Sequence, residues 1–330
     1  MLELARRLPA YWLSRRLGWP RPLPLSLTLS LTYRCNSRCL TCNVWRRRGE
    51  SVEGRDTDEL AVDEWERVLR SLGHAPYWIT VSGGEPLLRS EAVEIIRLAC
   101  EHCRPAILNI PTNGLLPERI AHAVGEVTTI CPHTDIVVNL SLDGWGAEHD
   151  RIRGVPGNFE RSLETYRRLR ALEAPNLTLG VHTVVSRFNA EGVPALYTRV
   201  QEELAPESYV TEIAEERTEL GTVGSDVAPD AALYAGTIEQ VMALQSRHRV
   251  DGLGRVTWAF RRRYYRMVQR WLRERRQVIP CYAGWASAQI APEGDVWFCC
   301  VRAQPVGNLR EADYDFRRIW WGEQAQALRE

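Results

Sequence analysis

One alternating run, at residues 25–31 with leucine on one face and Ser or Thr on the other, and five short apolar runs, at residues 77–82, 106–110, 136–142, 177–185 and 209–213, alternate with longer stretches in which apolar residues recur every three or four positions. Runs of that length between turn residues suit parallel strands buried on both faces, and the amphipathic stretches suit the helices that link them. Val62, Trp65, Val68, Leu69 and Leu72 mark one helix, which stops at Gly73. Ser90 can cap another carrying Val93, Ile96 and Leu98, and Phe159, Leu163, Tyr166 and Leu169 mark a third after Asn158. Six βα-like units predict an α/β fold around a parallel sheet. Spacing alone leaves both an open doubly wound sheet and a barrel standing.

The chemistry-bearing residues follow the strands. After the first comes Cys35-Asn36-Ser37-Arg38-Cys39-Leu40-Thr41-Cys42; after the second, Ser82-Gly83-Gly84-Glu85-Pro86. Thr112-Asn113-Gly114 follows the third and Ser141-Leu142-Asp143-Gly144 the fourth. In a parallel sheet such positions gather at one edge, where these folds bind ligands. Three thiolates in a C-x3-C-x2-C loop can wrap one corner of an iron–sulfur cube, leaving a fourth iron open. A structural zinc site would want a fourth Cys or His close by, and the next histidine is His74.

This ordered set resembles the radical S-adenosylmethionine (SAM) enzymes, over residues 25–214. The resemblance implies a partial (β/α)6 TIM-like barrel with a [4Fe–4S] cluster on Cys35, Cys39 and Cys42. It implies that SAM binds the open iron and is cleaved by one electron to a 5′-deoxyadenosyl radical, with flavodoxin or ferredoxin as donor. Gly83 and Gly84 would let backbone approach the ligand, and Glu85, before Pro86, would accept from the SAM ammonium. Asn113, Ser141 and Asp143 would hold its ribose or carboxylate. Position 41, often aromatic in the family, is Thr41; Trp45 is the nearest substitute for an adenine contact.

Cys281-x12-Gly294-x4-Cys299, followed by Cys300, resembles the first half of a SPASM or twitch extension, which carries auxiliary iron–sulfur clusters. A hairpin turning at 292–295 would present Cys281, Cys299 and Cys300, and a helix follows at 316–328. Later SPASM cysteines are missing; either a non-cysteine group completes the site, or further ligands follow Glu330, which is the favoured expectation. The expected organisation is an N-terminal amphipathic helix and Pro-rich link (1–24), a barrel core (25–250), a basic linker helix (251–279) and the auxiliary-cluster region (280–330).

Composition narrows the classes. All 42 basic residues are arginine, so no P-loop lysine, Schiff base or pyridoxal anchor exists. Zero net charge argues against a general nucleic-acid binder, although nine arginines fall between Arg255 and Arg276. No apolar run reaches the 18 or so residues of a spanning helix. Nine cysteines without a secretory leader suit a reduced, cytoplasmic, metal-binding chain. The Arg- and Trp-bearing N-terminal helix suits either the flank of the barrel or a membrane surface. Cys100, Cys103 and Cys131 read as structural, while His149 with Asp150, His182, and one or two of Glu212, Glu215 and Glu216 are catalytic candidates. The expected substrate is a small hydroxylated metabolite, sugar or lipid-linked molecule. Alternatives are a peptide, an RNA, or a non-catalytic iron–sulfur or zinc protein.

Overall fold

A computed structural model describes residues 2–47, 59–247 and 253–329. Met1, Glu330 and the boundary drawn between residues 250 and 251 lie outside them. The six expected strands all form: β1 Ser26–Ser30, β2 Trp78–Ser82, β3 Ile107–Thr112, β4 Asp135–Ser141, β5 Leu177–Val185 and β6 Ser208–Ile213. They pair in parallel and in sequence order. Three more strands, β7 Ser287–Ile290, β8 Asp295–Trp297 and β9 Pro305–Asn308, extend the sheet beyond β1, giving the order β6-β5-β4-β3-β2-β1-β7-β8-β9.

The helices are α1 Leu2–Leu17, α2 Val62–Leu72, α3 Ala92–Cys103, α4 Pro117–Ile130, α5 Ala147–Arg153, α6 Asn158–Arg170, α7 Val193–Glu203, α8 Ala231–Gln245, α9 Leu253–Glu274, α10 Phe316–Trp320 and α11 Glu323–Ala327. Leu27, Leu29, Ile79, Val81, Leu108, Ile110, Ile136 and Val138 are fully buried and pack with Trp65, Ile95, Val124 and Leu169 of the outer helices. Their alternate neighbours are polar: Thr28, Thr80, Asn109, Asn139, Ser141, His182 and Glu212. The strands therefore do not bury apolar residues on both faces, as their short apolar runs suggested. One face meets helices, and the other presents the polar residues of a partial barrel.

The C-terminal hairpin forms where expected, with β7 and β8 antiparallel, and it continues the main sheet. Strand β7 pairs in parallel with β1, with Leu27 opposite Ala288 and Leu29 opposite Ile290. Helix α9, expected as a linker, buries Tyr265, Val268 and Leu272 against Tyr234, Ile238 and Val241 of α8 and Ile213 of β6. Ser90 does not cap α3: Glu91 holds that position, and the Ser90 hydroxyl donates to the Glu91 carboxylate at 2.7 Å. Cys100 pairs with Cys131 as a disulfide, with Cα atoms 5.9 Å apart, where the sequence suggested separate structural thiols. A separation of 31 residues hides such a contact.

Helix α1 lies at the strand-entry end of the sheet. Arg7 donates to the Ala75 carbonyl, the Tyr11 hydroxyl to Leu23 at 2.8 Å, and Arg15 to Cys281 at 3.0 Å, all ahead of β2, β1 and β7. Among the described residues no helix is long and apolar enough to cross a membrane.

Candidate active site

At the strand-exit end the cysteine loop is held from three sides. Gly84 and Glu85 donate backbone N–H groups to the carbonyls of Thr32 (2.7 Å) and Arg34 (2.9 Å). Arg38 and Leu40 donate to the carbonyls of Arg153 and Ile152, both at 2.9 Å, and Asn43 donates to Leu220 at 2.8 Å. Close packing against this loop leaves neither glycine room for a side chain. A Cβ on Gly83 would lie 2.3 Å from the Thr32 carbonyl oxygen, and one on Gly84 2.2 Å from that of Arg34.

One cavity of about 240 Å³ opens here. Cys35, Cys39, Cys42, Gly83, Gly84, Glu85 and Pro86 line one side, with Asn113, Ser141 and Asp143 beside them. His182, Glu212, Glu215 and Arg217 complete the wall at the β5–β6 end. Residues distant in sequence thus meet because each follows, or ends, a neighbouring strand. His149 and Trp45 are absent from that wall. Trp45 is instead held between the guanidinium groups of Arg38 and Arg46, 4.6 and 4.9 Å from its ring centroid. Thr41 lines the cavity and Trp45 stands outside it.

The donor set suits iron. None of the three cysteines is disulfide-bonded, and all are only partly exposed. Burial pushes the Cys35 and Cys42 thiols up, to about 11 and about 12, so charge would return to the sulfurs only with a metal to neutralise it. Nitrogens surround them: Ser37 N–H at 3.4 Å and Asn113 Nδ2 at 3.9 Å from Cys35 Sγ, and Arg153 Nη1 at 3.8 Å from Cys39 Sγ. Such outer hydrogen bonds orient thiolate ligands and tune a cluster. Among the described residues no three His, Cys, Asp or Glu side chains converge on a single-ion site.

Glu85 is 2% exposed and accepts from the Asn113 N–H at 2.8 Å and the Thr112 hydroxyl at 3.0 Å. Burial nevertheless raises its carboxyl from the ordinary 4.5 to about 7. Between those values the folded chain keeps a proton that the unfolded chain has lost. The Glu85 contribution to the stability of the unliganded protein should therefore be full below pH 4.5 and fall as pH rises towards about 7. Glu85→Gln should flatten that slope in thermal unfolding across the window; equal slopes in both proteins would refute the assignment.

Asp143, expected to contact the ligand, lines the cavity and is also tied to protein partners. It is 1% exposed, accepts from the Val184 N–H at 2.8 Å and lies 2.8 Å from Arg153 Nε. Its carboxylate holds Arg153 in the cavity wall. His149 supports the same turn: its Nδ1 accepts from the Asp143 N–H at 3.2 Å, and its Nε2 meets Asn158 at 3.3 Å. Burial lowers its pKa to about 4, keeping it neutral, and Asp150 is spent capping the Gly157 and Phe159 N–H groups. His149 and Asp150 are thus not an acid–base pair facing a substrate. Arg153 was missed in the sequence, where one arginine among so many in a helix carries no signal.

Of the three acids at the end of β6 and just beyond it, Glu212 and Glu215 face the cavity, while Glu216 binds the Gly224 and Asp226 N–H groups. His182, whose pKa burial lowers, has its Nε2 3.7 Å from Glu212. Cys281 is exposed and Cys299 and Cys300 are half-buried. The turn after Cys299 joins the loop after β6, with the Thr218 N–H donating to the Val301 carbonyl at 3.0 Å.

Comparison with known proteins agrees with this arrangement. An AdoMet-dependent heme synthase of Methanosarcina barkeri is 27% identical over 93% of this chain and 84% of its own. Mycofactocin maturase MftC of Mycobacterium tuberculosis is 31% identical over 50% of this chain, and sporulation killing factor maturation protein SkfB of Bacillus subtilis 29% over 52%. The matches span only 39% and 38% of those two maturases. In fold, SuiB of Streptococcus suis bound to S-adenosylmethionine superposes with a TM-score of 0.67 over 99% of this chain and 72% of its own, at 16% identity. The enzyme anSMEcpe with bound AdoMet gives 0.62 over 92% and 82%, also at 16% identity. The SPASM iron–sulfur cluster-binding domain matches residues 281–330. Its partner match, to the radical SAM superfamily, takes in every motif from the cysteine loop to Asp143 within residues 29–200, and the chain belongs to that superfamily.

Proposed function

We propose that the chain is a peptide-modifying radical SAM enzyme. The observation that carries the reading is the division of one cavity into a cysteine-bearing side and a polar side formed by His182, Glu212, Glu215 and Arg217. Such a wall suits a substrate with polar or charged groups, and similarity to two maturation proteins and to a PqqA peptide cyclase of Rhodopseudomonas palustris supports a peptide. The small hydroxylated metabolite has less support. A lipid-linked substrate delivered by α1 has none, because α1 lies at the opposite end of the sheet. A second reading, a carboxylated tetrapyrrole, is favoured by the end-to-end match to a heme synthase.

The [4Fe–4S] cluster and SAM supply one-electron bond cleavage and a radical that takes hydrogen from the substrate. The chain's own part is to bind and aim. Cys35, Cys39 and Cys42 would hold the cluster, with Asn113 and Arg153 donating towards its sulfur ligands. Glu85, shielded from water, would accept from the SAM ammonium, a charge-assisted bond that also draws its proton off. Arg153, fixed by Asp143, offers its charge to the SAM carboxylate. His182 and Glu212 stand where a substrate proton could be taken up.

The test is anaerobic reconstitution followed by iron counting and dithionite-driven SAM cleavage. About eight irons are expected in the wild type and about four in Cys35→Ala/Cys39→Ala/Cys42→Ala, counting four per cube, with 5′-deoxyadenosine from the wild type alone. The active enzyme is then offered pooled short peptides and, separately, iron coproporphyrin III. A changed peptide mass supports the first reading and a changed tetrapyrrole alone selects the second. A cluster-loaded protein that never cleaves SAM refutes both.

A further inference from the structure

The cavity contains two guanidinium groups, each beside a different set of cysteines. Arg153 approaches Cys39, and Arg217 approaches Cys300, its Nη1 3.8 Å from the sulfur. Each is paired with a carboxylate, but the pairs differ. Asp143 is 1% exposed and is also gripped by the Val184 N–H, so the Arg153 pair is permanent. Glu215 is 32% exposed, and among the described residues its carboxylate has Arg217 as its one hydrogen-bonding partner, at 3.1 Å from Nη2 and 3.2 Å from Nε.

We propose that Arg217 is the anchor for a carboxylate on the substrate, and that Glu215 occupies it in the free enzyme as an internal stand-in. A half-exposed ion pair gains little over its hydrated separate ions, so an incoming carboxylate displaces Glu215 at small cost. The planar guanidinium then offers the newcomer two parallel N–H donors, an arrangement a lysine could not reproduce. Backbone contacts fix where this happens. The Arg217 N–H donates to Thr222 at 2.9 Å, and the next residue's N–H is tied to Val301, so the loop presents Arg217 between the cavity and the C-terminal cysteines. A substrate held there lies across the cavity from the cysteine loop. The inference rests on the cavity being the site of reaction, and it specifies the substrate class: a molecule with a free carboxylate, from a peptide or a tetrapyrrole.

The experiment uses the reconstituted, SAM-loaded full chain and two matched probe pairs. One is a dansyl-labelled, C-terminally amidated Ala-Glu repeat decapeptide against its Ala-Gln counterpart, likewise amidated; the other is iron coproporphyrin III against its tetramethyl ester. The wild type should bind the acid form of one pair roughly tenfold or more tighter than its neutral partner, as expected for a charged hydrogen bond. Arg217→Gln should abolish that preference, and Glu215→Gln should enlarge it several-fold by removing the competitor. The pair that responds identifies the source of the carboxylate. No acid preference in the wild type, a preference undiminished in Arg217→Gln, or loss of iron together with binding in that variant would each overturn the proposal. Wild-type SAM cleavage, measured in parallel, separates these outcomes from failure of the enzymatic reading itself.

Discussion

Gly84→Ala is expected to strip the cysteine loop of its cluster while sparing the C-terminal one. The added Cβ would lie 2.2 Å from the Arg34 carbonyl oxygen, 2.7 Å from its carbon and 2.9 Å from Cys35 Cβ. Two of those three atoms are backbone, so no side chain can swing aside; the loop itself must move. That breaks the hydrogen bonds from Gly84 and Glu85 to Thr32 and Arg34 and shifts Cys35 away from Cys39 and Cys42. A cube tolerates little spread among its ligands, so reconstituted protein should hold about four irons fewer than wild type and produce no 5′-deoxyadenosine. Gly125→Ala is the matched control. It lies within α4, the nearest atom to its added Cβ is Leu172 Cδ2 at 3.4 Å, and alanine favours a helix by roughly 0.5–1 kcal/mol. It should keep full iron and melt no lower than wild type. Equal iron in Gly84→Ala and Gly125→Ala would show that the glycine pair does not hold the loop.

The contrast between these glycines bears on what the sequence could reveal. Strand positions were legible because five- to nine-residue apolar runs stand out between helical periodicities, and motif positions followed from the strands. The cysteine loop was legible because thiols at short spacing have few other uses. What escaped the sequence depends on tertiary approach. Gly83 and Gly84 stood out as turns that line the cavity, but nothing local showed that Thr32 and Arg34 pack against their Cα atoms. The polar alternation of β2 to β5 was hidden by threonine, asparagine and histidine, residues that suit a strand as well as a cavity. Strand β7 joins β1 across more than 250 positions, a pairing that no local pattern encodes. Asp143 is the plainest case: the motif located it, but only the fold shows that it faces Arg153.

Arg153→Met is expected to cost about 3–5 kcal/mol of stability, the range seen when one partner of a buried ion pair is removed. Asp143 keeps its Val184 hydrogen bond but loses the only guanidinium recorded beside it among the described residues. A carboxylate 1% exposed cannot recover that loss from water. The Arg153 Nη1 also points at Cys39, so the variant should bind both iron and SAM less well. Arg153→Lys would keep the charge but not the fork that reaches Asp143 and Cys39 together, and should recover stability better than SAM affinity. The ion-pair account is decided by the double variant Arg153→Met/Asp143→Leu. With no charge left to strand, urea unfolding should show it more stable than Arg153→Met alone, while SAM binding stays weak. If the double variant were less stable by the sum of the two single losses, the pair would not be coupled. Arg153 would then matter for its packing against the cysteine loop, and the charge it brings to the cavity would have no fixed holder.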